Sequence, residues 1–445
     1  MSELSLSELA AAAQAGAPSG SEFVLLGMPD VHGSVRGKAL RPSAFEAADR
    51  DGTVMTDLLL AVDPTDEPIT TYERFGIRSG AGDLIVHPEL STLRELSWLP
   101  GWRICLCTPY WPDGSPCELS TRETLRRALD QLSDQGYQAT AAIEYEIRLR
   151  DGAGQPLSSG LSYSLGEISR FERYVGQLLP ALDALGVELS AVHTEAGPGL
   201  LELNIAARSG AQAADDAVFV KLAAKEVAAA MGLRASFLAK TVPGEEGSSG
   251  HVHLSAWSDG SNAFASSASA DGDLPSVFRA AIAGVLDHLP AASLMLNPTI
   301  NSYKRLVPGW FAPVNVSWGR ENRSCAVRAI AGEHADRWRI ECRRPGADAN
   351  PYLALAALVA SAADGMARGA EPPPAVVGDA SERTDLPSLP GSLESAVAAF
   401  DADAGFRGLL GETFCDYYRA SRVWELHAWR KAVSDWERER YERAV

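Results

Sequence analysis

The chain has 445 residues, 46% of them hydrophobic, enough for one large domain and a smaller one, each with its own core. A formal net charge of -18 and an isoelectric point near 4.9 exclude nucleic acid and anionic membranes as principal partners, because phosphate binding requires a basic footprint. The six cysteines, at 105, 107, 117, 325, 342 and 415, form no C-x-x-C pair and read as reduced thiols of a cytoplasmic protein.

The N-terminal MSELSLSELAAAAQAG has no Lys or Arg and so lacks the basic start of a signal peptide; Ser5 to Glu8 reads as a helix-capping box. Residues 22 to 110 are strand-like and turn-rich: EFVLLGMPD, a charged hairpin at HGSVRGK, then TDLLLAVD and WRICLC. Asp57 and Asp63 in TDLLLAVD are candidate contributors across a subunit interface, with a turn or capping role as the favoured alternative. The Pro, Gly and Asp of YWPDGSPCELS, 110 to 120, mark a domain boundary. Ser120 and Glu123 then open a helix whose stripe is Leu125, Ala128, Leu129 and Leu132 and whose end is Gly136. Further helices are expected at 215–231, 275–289, 350–367, 392–402 and 420–443, and strands near 191, 201, 251, 313 and 338. The apolar run YLALAALVASAA, 352 to 363, is too short to span a bilayer and follows Asn350-Pro351, a helix start. The Pro-rich stretch 371 to 391 reads as a loop. The mixture is α+β, without the steady alternation of a doubly wound sheet.

Three of the strands share one grammar. In AAIEYEIRLR, Ile143, Tyr145 and Ile147 take one face, and Glu144, Glu146 and Arg148 the other. In GHVHLSAW, Val252 and Leu254 alternate with His251, His253 and Ser255; in RWRIECRR, Ile340 and Cys342 alternate with Arg339, Glu341 and Arg343. HTEAGPGLLELN adds Glu195 and Glu202. Carboxylates gathered in this way repel and raise one another's pKa unless cations sit among them, which points to Mg²⁺ or Mn²⁺. Lys304, Arg305, Arg320, Arg323 and Arg328 follow in the segment 297 to 328. Metal beside several arginines is the equipment of phosphoryl transfer.

NPTINSYKRLVPG, ENRSCAVR, RIECRRPGADANPYLALAA, GSSGHVHLS and E-x-E, in this order and spacing, resemble the glutamine synthetase family over nearly the whole chain. The resemblance implies a small N-terminal β-grasp domain, here 1–112, and a larger catalytic domain, here 113–445. It implies stacked rings with active sites shared between neighbouring subunits, ATP as co-substrate, and two or more Mg²⁺ or Mn²⁺ ions per site. Carried over by position, one metal falls to Glu146, Glu195 and Glu202, and the other to Glu144, His251 and Glu341. His253, Arg323, Arg328 and Arg339 face the ATP phosphates, Ser255 lies near the adenine, and Arg305, Arg343 and Gly247 meet glutamate. Arg323, Arg305 and Glu341 carry the catalytic roles. His193, two residues before Glu195, supports that ligand or serves the fold.

The sequence departs from ammonium-using members of that family. Where their flap carries a glutamate, this chain has Phe311, preceded by Trp310, and the D-G-S-S element of the ammonium site is missing. A phenyl ring accepts no proton but packs against hydrocarbon. Both features resemble the γ-glutamyl-amine ligases, which join glutamate to small organic amines or polyamines; ammonium and a non-catalytic ring protein stay open as alternatives. Leu200 replaces a Gln common in relatives, and Glu246 falls where the ammonium users have an Asn beside the substrate.

Overall fold

The structure is a computed structural model that describes residues 22–265 and 273–445; the Ser5–Glu8 capping box lies outside the described residues. The N-terminal sheet comprises β1 (Phe23–Pro29), β2 (Val35–Leu40), β3 (Thr53–Thr56), β4 (Asp83–Pro88), β5 (Arg94–Glu95) and β6 (Trp102–Tyr110). Their order is β2-β1-β6-β4-β3, with β5 alongside β6. Period-2 alternation drives β1 inward: Val24, Leu26 and Met28 are buried. HGSVRGK is the turn and start of the antiparallel β1–β2 pair, tied by Asp30, which accepts from Ser34 N and from Arg36 Nε.

The second sheet holds the chemistry-bearing strands: β7 (Gln138–Arg150), β8 (Leu189–Thr194), β9 (Leu200–Ile205), β10 (Arg208–Ser209), β11 (Arg234–Ser236), β12 (Gly250–Ser258), β13 (Ser261–Asn262), β14 (Trp318–Arg320), β15 (Val327–Ile330) and β16 (Arg339–Cys342). Its order is β14-β15-β16-β12-β7-β9-β8. One face rests on helices. Helix Pro351–Arg368 starts at Asn350, whose side chain accepts from Tyr352 N, with Pro351 in the first turn. It crosses helix Ser276–Leu296 where Gly284 and Gly365 leave no room for a side chain: a Cβ on Gly284 would stand 2.6 Å from Gly365 N. Helix Ser276–Leu296 is long and apolar enough to cross a membrane by length and composition, but 78% of its apolar window is buried inside the molecule. It is a core helix, and a better match to a membrane span than the run at 352 to 363.

A single apolar cluster runs from the first sheet through the second and into the helices. Polar ties cross the same boundary: Tyr417 Oη donates to Leu60 O at 2.9 Å, Tyr72 Oη to Tyr417 O at 2.8 Å, and Asn350 Nδ2 to Asp30 O at 2.9 Å. All six cysteines are free and buried.

Several expected elements shift. TDLLLAVD is a 3-10 turn over Asp57–Leu60, because Thr56 caps it by accepting from Leu58 N; Asp57 accepts from Gly76 N and Asp63 from Thr65 N, so both serve turns. No strand forms at 313, where Pro313 removes a donor, and the nearest is β14. The helix expected over 420–443 is two, Glu412–Lys431 and Asp435–Tyr441, because Ser434 and Glu437 form a new capping box. Helices Pro42–Asp51, Glu172–Ala184 and Ala404–Leu410 add to those expected; Gly176 and Pro180 mask the second of them in the sequence.

Candidate active site

The site lies on the face of the second sheet opposite the helices. In β7, Ala141, Ile143, Tyr145 and Ile147 are buried against the core, while Glu144 and Glu146 point the other way. β12 places His251 beside Glu144, β9 places Glu202 beside Glu146, and β16 places Glu341 beside His253. Far from facing bulk water, His251, His253, Glu202 and Glu341 are 1–6% exposed.

Two groups of potential metal donors result. Glu144, His253 and Glu341 bring ligand atoms within 4.8 Å of one another, and so do His193, Glu195 and Glu202. His251 borders the first group, with Nδ1 3.5 Å from Glu144 and 3.7 Å from Glu341. Glu146 stands in register with Glu202 and accepts from Ser249 N at 2.6 Å. Thus both β12 histidines, and not His251 alone, reach the first group, and His193 stands closer to Glu195 and Glu202 than a remote support: its Nε2 is 3.1 Å from Glu202.

The charges are unbalanced without cations. Burial, then Glu146 and Glu202, push Glu195 up to about 7, and burial also raises Glu146. Burial works against the charge of Glu144 and Glu341 too, but His253 and its neighbours overcome it and lower both, Glu341 to about 2 with the help of Arg343. Arg343 Nη1 binds one oxygen of Glu341 and Arg328 Nη1 the other at 2.9 Å. A carboxylate has about four lone-pair sites, so these bonds leave room for a metal. His251 Nε2 is buried without a hydrogen-bond partner. An oxygen-rich donor set with imidazole and an unfilled nitrogen fits Mg²⁺ or Mn²⁺.

Around this basin the remaining residues divide. A cleft of about 360 Å³ is lined by Glu144, His253, Ser255, Trp257 and Arg339, which gathers three residues expected to serve the nucleotide. Arg339 Nε donates to His253 Nδ1 at 3.1 Å, and Ser255 Oγ accepts from Trp257 Nε1 at 2.9 Å. Arg305, 3% exposed, donates to Ser249 Oγ at 3.1 Å and to Arg344 O, while its Nε has no partner. A side chain at Gly247 would strike Arg305. Arg323 stands apart, in a larger cleft that it shares with Phe311. Trp310 does not: its ring lies 4.5 Å from Lys240 Nζ. Phe311 is 66% exposed at φ 52°, a left-handed conformation unfavourable for an aromatic residue. The carbonyl of Glu246 accepts from Arg148 Nη2 at 2.7 Å, and Leu200 is buried.

Two contributors were given no role in the sequence reading. Tyr163 stacks on His193 with centroids 4.2 Å apart; it lies in a loop without periodicity and carried no signal. Arg148, only 1% exposed, binds Glu245 at 2.7 Å; its place two residues after Glu146 on one face was the available clue.

Residues 118–441 match the model of the glutamine synthetase catalytic domain. A glutamate–isopropylamine ligase of a Pseudomonas species is 35% identical over 439 residues, covering 94% of this chain and 95% of the relative. A gamma-glutamylethanolamide synthetase, GlnA4 of Streptomyces coelicolor, is 33% identical, covering 94% and 91%. The chain belongs to the glutamine synthetase family. Within that family it falls among the ATP-dependent ligases that join glutamate to a primary amine. The solved structure of apo GmaS without ligand superposes with a TM-score of 0.83 at 25% identity and covers 99% of both chains.

Proposed function

We propose that this ligase takes an organic primary amine in preference to ammonium, attaching it to the γ-carboxylate of glutamate through a γ-glutamyl phosphate. The observation that carries this reading is Phe311, exposed at the flap where ammonium users present a carboxylate. The phenyl ring contributes apolar contact and water exclusion, which reward hydrocarbon that ammonium lacks.

By family position Glu144, His251 and Glu341 would hold one divalent ion, and Glu146, Glu195 and Glu202 the other; the donor atoms that come within 4.8 Å of one another are those of Glu144, His253 and Glu341 and those of His193, Glu195 and Glu202, so both His253 and His193 are further candidate ligands. Bound by these residues, such ions would supply positive charge against the phosphate oxygens. Arg323, Arg328, Arg339 and His253 steady the phosphates, and Ser255 lies by the adenine cleft. Arg305 and Arg343, with Gly247 giving close access, bind the carboxylates of glutamate. Catalysis is then mostly positioning and charge stabilisation by Arg323, Arg305 and Glu341. We assign residues 1–112 and 113–445 to N-terminal and catalytic domains of a cytoplasmic enzyme, assembled as stacked hexameric rings with sites between subunits.

The test is phosphate release from ATP with Mg²⁺ and glutamate, across ammonium, methylamine, ethanolamine, putrescine, spermidine and an aromatic amine, with product masses. Turnover with organic amines at least tenfold above ammonium is expected. A preference for ammonium would overturn the reading.

A further inference from the structure

The larger cleft, about 790 Å³, lies between the flap and the Pro-rich segment 371–391, in the range of pockets that bury whole small molecules. Phe311, Pro313 and Val314 of the flap line it, together with Val376 and Val377 across from them. Val377 is 93% exposed and presents hydrocarbon that the fold itself does not use, whereas Val376, 5% exposed, packs with Cys325 and Ala380 and backs the wall. Arg323, assigned above to the phosphates, and Phe311, assigned above to the amine, both line this cleft.

The charged lining is balanced. Arg320 and Arg323 stand against Glu321 and Asp379. Glu321 is already committed, accepting from Arg328 Nη2 at 2.5 Å and from Ala331 N at 3.3 Å. Asp379 is exposed and caps the next turn by accepting from Ser381 N at 2.8 Å. A second ammonium group entering here would gain at most a surface ion pair, which is worth little, and would meet two guanidinium groups.

We propose that this cleft holds the tail of the amine, and that the enzyme selects monoamines with an aliphatic or aryl tail of several carbons over diamines and polyamines. This rests on the organic-amine reading above. The nitrogen attacks at the basin, and the tail runs along Phe311 between the flap and Val377. Each methylene buried there is expected to raise kcat/KM about fourfold.

The experiment compares kcat/KM of the full-length enzyme, with ATP, Mg²⁺ and glutamate, for ammonium, methylamine, butylamine, benzylamine and putrescine. Butylamine should exceed methylamine at least tenfold. It should also exceed putrescine, its counterpart with a second ammonium, at least tenfold. Val377→Asp, at an exposed position where folding is not at stake, should cut the butylamine-to-putrescine ratio at least fivefold. Equal rates for methylamine and butylamine, a preference for putrescine, or a ratio unmoved in Val377→Asp would each overturn the tail pocket while leaving an organic-amine ligase. Ammonium outperforming every organic amine would overturn the underlying reading as well.

Discussion

Lys221 shows how far a single residue's environment can depart from its sequence context. It lies 8% exposed beneath the second sheet, donates to Ala349 O at 2.7 Å, and has the Tyr145 ring at 4.9 Å. Burial, with Lys225 nearby, lowers its pKa from 10.5 to about 7. Between those values the unfolded chain binds more protons at this site than the folded one, so its contribution to stability improves as pH rises through that window. Lys221→Met should therefore stabilise more at pH 7 than at pH 9.5, by at least about 1 kcal/mol, in denaturant titrations at the two pH values. An effect independent of pH would contradict the neutralising burial. His288 is a comparable case: it had no visible partner in the sequence, yet its ring nitrogens lie 2.8 Å from Asp403 and 3.1 Å from Asp364. Those partners are 115 and 76 positions away, a separation that local pattern cannot bridge.

Among elements, the strands of the site were the most legible. The alternation in β7, β12 and β16 needs only two-residue periodicity and one buried face, and it correctly put Glu144, Glu146, His251, His253 and Glu341 on one side. Less legible were elements fixed by capping or by packing, such as the 3-10 turn at Asp57–Leu60 and the helix that carries Pro180. The crossing of helices Ser276–Leu296 and Pro351–Arg368 was likewise invisible, because Gly284 and Gly365 acquire meaning only from each other. Gly365→Val would press a side chain onto helix Ser276–Leu296, where even a Cβ comes within 2.6 Å of Gly284. Overpacking of this kind costs about 1–3 kcal/mol, so a fall of several degrees in Tm is expected by calorimetry. An unchanged Tm would mean that the helices can move apart freely.

At the scale of the molecule, one core underlies both sheets, so stability and ligand binding are linked through a shared folded state. Mg²⁺ at about 100 times its Kd should stabilise by about 2.7 kcal/mol, readable as a Tm increase of a few degrees that EDTA reverses. Glu341→Ala should lose at least half of that increase, since Glu341 belongs to the first donor group. An undiminished increase would place the ion elsewhere.

The donors of this basin come from strands that are far apart in sequence and meet only by pairing: Glu144 with His251, Glu146 with Glu202, His253 with Glu341. A slip of one residue in any of these ladders would turn a donor into the helix-packed core and an apolar residue into the basin. The site thus works as a checksum on the assembly of the sheet. A mispaired chain has no partly working version of it, so turnover per molecule in a preparation counts correctly registered chains, and a refolding experiment could use ATP hydrolysis as its census.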